Sequence, residues 1–133
     1  MRSSEDVFHL AIPCADLDAA VDFYEKGLGC RLARMHDDRV TFEFFGDQIV
    51  CRLAPDRVDE KPTIYPRHFG ITFRDKEDHA KILARAREKE LPFFRNDYAK
   101  VKGEREEHTT FYLLDPSNNV VEFKYYPDAA NMY

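Results

Sequence analysis

The chain spells one order of elements twice, and that repetition constrains its fold more than any other feature. FHLAI at residues 8–12 returns as RHFGI at 67–71, with His9 over His68. In the first copy Val7, His9 and Ala11 alternate with Phe8, Leu10 and Ile12, the period of a strand. A helix follows over ADLDAAVDFYEKGLG. Asp16 is its cap, Leu17, Ala20, Val21, Tyr24 and Leu28 fall at helical spacing, and Gly27 and Gly29 are its stop. CRLARM, RVTFEFF and QIVCRLA then read as three strands, separated by HDD and GD turns. The second copy runs RHFGITF, then a helix over DKEDHAKILARAREKEL, capped by Asp75 with Asp78 as capping-box partner. Its strands are LPFFRN, HTTFYLL and NVVEFKYY. The charged YAKVKGEREEH reads as a loop, and the Pro-rich PDRVDEKPTIYP as a connector.

Two βαβββ modules therefore occupy residues 5–55 and 66–127, joined by residues 56–65 within a single domain spanning 1–133. Neither module can bury its own helix and sheet alone. The expected fold is α+β, a curled mixed sheet with helices on the convex face and a concave face left for a ligand. A hydrophobic content of 44% is too high for a disordered chain. A net charge of -5 without any basic block argues against a nucleic-acid partner. No apolar run approaches the ~18 residues of a membrane span, and the N-terminus lacks a signal-peptide core. Cys14, Cys30 and Cys51, odd in number and without CxxC spacing, read as small core residues of a cytoplasmic protein.

Alternation also assigns faces. In FYLLDPSNNVVEF a carboxylate, Glu122, stands between Val121 and Phe123, where burial is costly unless something pairs with it. Val121, Phe123 and Tyr125 form one face, and Glu122 and Lys124 the other. His9 and His68 likewise oppose the apolar residues of their strands. All three are expected on the concave face, with Glu122 meeting His9 and His68. Two imidazoles and a carboxylate suit Fe, Mn, Zn or Ni, one divalent ion per site; they can equally pair among themselves. Tyr112 shares the face of Glu122 across the DPSNN turn, as a hydrogen-bond donor or acid, or as an amphipathic sheet tyrosine. His108 and Thr110 lie on the same side of that strand. His108 is either an outer acid–base group or a solvent-exposed histidine. His36 and His79 read as surface residues.

These stretches resemble the vicinal-oxygen-chelate superfamily, which includes glyoxalase I, extradiol dioxygenases, and fosfomycin- and bleomycin-resistance proteins. The resemblance rests on FHLAIPCADLDAAVDFYEKGLGC, with its FYxxxLG-like signature, on RHFGITF, and on the closing FYLLDPSNNVVEF hairpin. It implies a divalent metal on His9, His68 and Glu122, a functional role for Tyr112, a small-molecule substrate chelated through adjacent oxygens, and a homodimer. It also implies a choice between a dioxygenase-like or lyase/addition enzyme and a metal-free protein that sequesters a ligand. Asn118 replaces the usual turn glycine, and asparagine tolerates the left-handed conformation. Glyoxalase I carries a fourth ligand on the strand corresponding to QIVCRLA. Facing points Gln48, Val50 and Arg52 to the site, whereas ungapped alignment of the modules puts Cys51 opposite Glu122. Ile49, Cys51 and Leu53 make the better apolar face, so Arg52 is expected at that position; arginine cannot ligate a metal, and the four-ligand site is incomplete unless Cys51 or Gln48 fills it. Arg52 with Gln48 would bind an anionic substrate group, unless Arg52 pairs with Glu43 or another carboxylate.

Overall fold

The structure, a computed structural model, describes residues 1–94, the backbone of 99–101, and residues 108–133. The fold is α+β, and each half follows the strand–helix–three-strand order. The first half comprises β1 (His9–Cys14), α1 (Leu17–Val21), β2 (Arg31–Met35), β3 (Arg39–Phe44) and β4 (Asp47–Leu53). The second comprises β5 (Phe69–Phe73), α2 (Lys76–Glu88), β6 (Ala99–Val101), β7 (His108–Leu114) and β8 (Val120–Tyr125). Each half forms a four-stranded mixed sheet, ordered β1-β4-β3-β2 and β5-β8-β7-β6. The outer strand β1 or β5 runs parallel to the last strand of its own half, and the remaining pairs are antiparallel. By contact the chain divides into two compact units. The first is Met1–Lys61 with Pro116–Asn119; the second is Pro62–Asp115 with Val120–Tyr133.

In the first unit the Asp16 carboxylate caps α1 by accepting from the Ala19 amide at 3.0 Å. The helix then widens into a π-helical segment over Asp22–Gly27, and the Leu28 amide reaches back five residues to the Phe23 carbonyl at 2.9 Å. The wider turn brings two adjacent aromatics inward. Phe23 and Tyr24 are both buried, although only Tyr24 falls on the 3.6-residue stripe. Tyr24 packs on Phe42 and Phe44 of β3, with ring centroids 5.2 and 6.3 Å away. Cys14, Cys30 and Cys51 are buried here and form no disulfide. Phe8, expected on the inward face, precedes β1 and is 55% exposed.

In the second unit Phe111 of β7 stacks on Phe123 of β8 at 5.2 Å, and α2 covers them with Ile82 and Ala86. Two expectations fail in this half. Residues 91–94 of LPFFRN form no strand: Pro92 has no amide to donate to a ladder, and only Phe93 bridges, to Leu113. The outer strand is Ala99–Val101, inside the stretch read as a charged loop; residues 95–98 and 102–107 lie outside the described part. His79 is not a surface residue either. It is 3% exposed, its Nε2–H donates to the Phe123 carbonyl at 3.2 Å, and the rings of Phe73 and Phe111 flank it. Helical spacing aligns it with Ile82 and Ala86, a signal masked by its polar identity. Asn118 adopts φ 61° in the β7–β8 turn, as its left-handed tolerance allows.

Burial lowers the His79 pKa from the ordinary histidine value, and its bond to the Phe123 carbonyl only partly opposes this. The unfolded chain therefore binds the proton more readily than the folded one. This contribution to stability is complete above about pH 6.5 and is lost as pH falls below it. Urea unfolding at pH 7.5 and 5.0 should show a smaller acid-induced drop in midpoint for His79→Gln than for the wild-type protein. Equal drops would remove His79 from the pH response.

Candidate functional site

Glu122 sits on β8, which lies between β5 and β7, and its side chain is only 7% exposed. Four groups answer the charge. The Thr110 hydroxyl donates to Oε1 at 2.7 Å. His68 Nε2 stands 3.0 Å from Oε2, and Lys124 Nζ 3.4 Å from the same oxygen. Tyr112, directly opposite in the β7–β8 register, donates its phenol hydrogen. Burial alone would raise the Glu122 pKa, but the Thr110 hydroxyl, the Lys124 charge, the Tyr112 phenol and His68 outweigh it. The group is a carboxylate held below its usual range. Tyr112 moves the other way: desolvation first, then the charge and hydrogen bond of Glu122, push its phenol far above the ordinary tyrosine value. It stays protonated and acts as a donor.

The two histidines are oriented alike. His68 Nδ1 donates to the Ile64 carbonyl at 2.8 Å. His9 Nδ1 meets Gln48 Oε1 at 2.5 Å, so that Gln48 orients His9. With Nδ1 giving its proton to oxygen, Nε2 of each ring is the atom left to accept a Lewis acid, the arrangement usual around metal-bound imidazoles. At His68 that nitrogen faces a carboxylate. A cation held between Nε2 and Oε2 would answer both atoms. Metal–donor bonds of about 2.1 Å at a right angle set two donors about 3.0 Å apart, and the His68–Glu122 separation is 3.0 Å. The pair thus fits two neighbouring ligands of a divalent ion. His9 belongs to the first unit. Among the described residues no group of three or more His, Cys, Asp and Glu is placed to hold a metal.

Strand registers identify the residue of the first module that corresponds to Glu122. Gly70, two residues after His68, pairs with Glu122, and Ala11, two residues after His9, pairs with Val50. Across the antiparallel ladders Tyr112 pairs with Glu122, as Thr41 does with Val50. The counterpart of Glu122 is therefore Val50, which has no donor atom, rather than Arg52, Cys51 or Gln48. Cys51 is fully buried beside Ile49. Arg52 is the counterpart of Lys124; it is exposed, with Asp38 as its ion-pair partner at 3.9 Å. Glu43 instead pairs with Arg31 at 2.7 Å. Four residues along β4 separate Arg52 from Gln48, about 13 Å. His108 is similarly four residues along β7 from Tyr112, its ring 5.2 Å from that of Tyr126.

Thr110, Lys124 and Gly70 complete the surroundings of Glu122, and sequence reading gave none of them a role there. The signal for the first two was strand alternation, which puts them on the faces of Tyr112 and Glu122. For Gly70 it was a glycine inside an otherwise apolar strand.

A strand–helix–three-strand unit used twice, with a histidine opening each copy and a glutamate on the last strand of the second, defines a two-module α+β protein. The chain belongs to the Glyoxalase/Bleomycin resistance protein/Dioxygenase superfamily, whose family model matches residues 6–123. It is similar, at 54% identity over 100% of both chains and a TM-score of 0.94, to a glyoxalase/bleomycin resistance protein/dioxygenase from Alicyclobacillus acidocaldarius. More distant structures share the fold. A lactoylglutathione lyase from Agrobacterium tumefaciens is 19% identical (TM-score 0.68, 93% of this chain and 96% of that one). A genomically encoded fosfomycin resistance protein from Listeria monocytogenes is 14% identical (TM-score 0.73, 98% and 99%). A search of curated proteins finds no match. No helix among the described residues is long and apolar enough to cross a membrane.

Proposed function

We propose that the protein is a divalent-metal-dependent enzyme that holds its ion on His9, His68 and Glu122 and takes a small molecule through adjacent oxygens. The observation that carries this reading is the common orientation of the imidazoles, each giving its Nδ1 proton to oxygen, with His68 Nε2 facing Glu122. When bound, an iron, manganese, zinc or nickel ion would supply Lewis-acid polarisation of the substrate oxygens. The chain supplies the rest. Thr110 fixes Oε1 of Glu122, and Gln48 and Ile64 fix the two rings. Tyr112, held protonated, offers a hydrogen bond to an oxygen that gains negative charge. His108 and Arg52 stand farther along their strands and are assigned to binding the outer part of the substrate. Val50 at the fourth-ligand position favours dioxygenase-like or lyase/addition chemistry over a four-ligand glyoxalase reaction. The reading includes a homodimer in the cytoplasm, without nucleic-acid or membrane partners.

A metal-free, ligand-sequestering protein is the rival, and one observation favours it: Thr110, His68 and Lys124 already satisfy Glu122 without an ion. Metal content decides between them. Protein purified without chelator or metal-affinity resin should carry about one ion per chain, and His68→Ala should carry none. Equal loading of the two would sink the ligand assignment. No loading of either, even after adding these ions, would favour sequestration.

A further inference from the structure

Lys124 shares the face of Glu122 by strand alternation and points its ammonium at Oε2, the oxygen that also faces His68. Its side chain is 30% exposed, and Nζ lies 5.9 Å from the centre of the Tyr126 ring. The ammonium is therefore at the site yet free to reach a ligand. A cation placed between His68 Nε2 and Glu122 Oε2 competes with Lys124 for one oxygen. The charge count then turns positive: Glu122 and Lys124 cancel, two neutral imidazoles add nothing, and a divalent ion leaves a surplus of two. An ammonium displaced from its carboxylate beside such an ion, and only part-exposed to water, is placed to pair with an anionic group that a ligand brings.

We propose that Lys124 is the specificity-determining residue of the site and selects small chelating substrates that bring negatively charged oxygens. The proposal rests on the metal-centre reading above. Its alternative is that Lys124 only neutralises a buried carboxylate. The two predict different binding. Under the proposal Lys124→Met tightens metal uptake, because a like charge is removed, while the loaded site loses affinity for an anionic chelator. A neutralising role predicts the tighter metal without the weaker anion.

The experiment uses cobalt-loaded protein followed by its visible absorption, titrated with oxalate as dianionic probe and with imidazole as neutral probe. Lys124→Met should weaken oxalate roughly 10- to 100-fold, the scale of a hydrogen bond to a charged group, and leave imidazole unchanged. Lys124→Arg should recover most of the oxalate affinity. Lys124→Gln serves if the methionine variant does not fold. Unchanged oxalate affinity in the variants, with cobalt bound, overturns the role of Lys124 alone. Failure of the wild-type protein to take up cobalt overturns the metal centre, and this proposal with it.

Discussion

Gly70→Ala is expected to unfold the second unit more readily than any comparably small change elsewhere in it. Gly70 lies directly opposite Glu122 in the parallel β5–β8 pair. A methyl group added there would sit 1.6 Å from the Glu122 carbonyl oxygen, 2.6 Å from its carbonyl carbon and 2.8 Å from its nitrogen. All three are backbone atoms, so no rotamer change relieves the clash. The strand must move, and moving β5 off β8 breaks the ladder that begins one residue after His68. A strained insertion into packed structure costs about 1–3 kcal/mol; with a ladder displaced as well, about 3 kcal/mol or more is expected. Chemical denaturation should show a clear loss of midpoint relative to Gly46→Ala, although Gly46 is itself strained. There the added methyl meets nothing within 4 Å and only the φ of +92° opposes it. That backbone penalty is of order 1–2 kcal/mol. A Gly70→Ala midpoint equal to wild type would mean that the two strands are not in this register.

What the sequence revealed, and what it hid, follows from the range of the forces concerned. Element order was legible because alternation and helical spacing are local, and both caps, Asp16 and Asp75, follow from one residue type beside one backbone turn. The outer strand of the second half was misplaced because LPFFRN has strand composition, while Pro92 denies it a ladder amide. His79 was misread because polarity was weighed above its i, i+3 and i, i+7 alignment with Ile82 and Ala86. At the site, the pairing of His68 with Glu122 could be inferred from facing alone. The partner oxygens could not. Gln48 at His9 and the match of Val50 with Glu122 depend on pairing of β1 with the distant β4; Thr110 at Glu122 depends on the β7–β8 register, and Ile64 at His68 on the path of a connector with no periodicity. One residue of register decides between Val50 and Cys51, and ungapped alignment is out by that one residue.

Glu122→Gln should separate the structural and chemical roles of the carboxylate. The amide keeps the volume, and its oxygen can still accept from Thr110. It gives up the charge that faces His68 and Lys124. Those partners are part-exposed, with side-chain exposures of 24% and 30%, so water takes over some of their solvation. The metal-free variant should therefore lose only about 1–2 kcal/mol of stability, less than breaking a fully buried pair would cost. With metal the two proteins should diverge. An ion that binds the folded wild-type protein alone, at a hundred times its dissociation constant, adds about 2.7 kcal/mol. In a domain of this size that corresponds to a rise of roughly 10 °C in Tm. The variant, lacking the anionic ligand, should show little or none of that rise. Melting both proteins with and without zinc or manganese makes the comparison. Equal metal-dependent shifts in the two would place the ion elsewhere and leave Glu122 as the buried partner of His68, Thr110 and Lys124. No shift in either, with the small metal-free difference intact, would favour the sequestering protein.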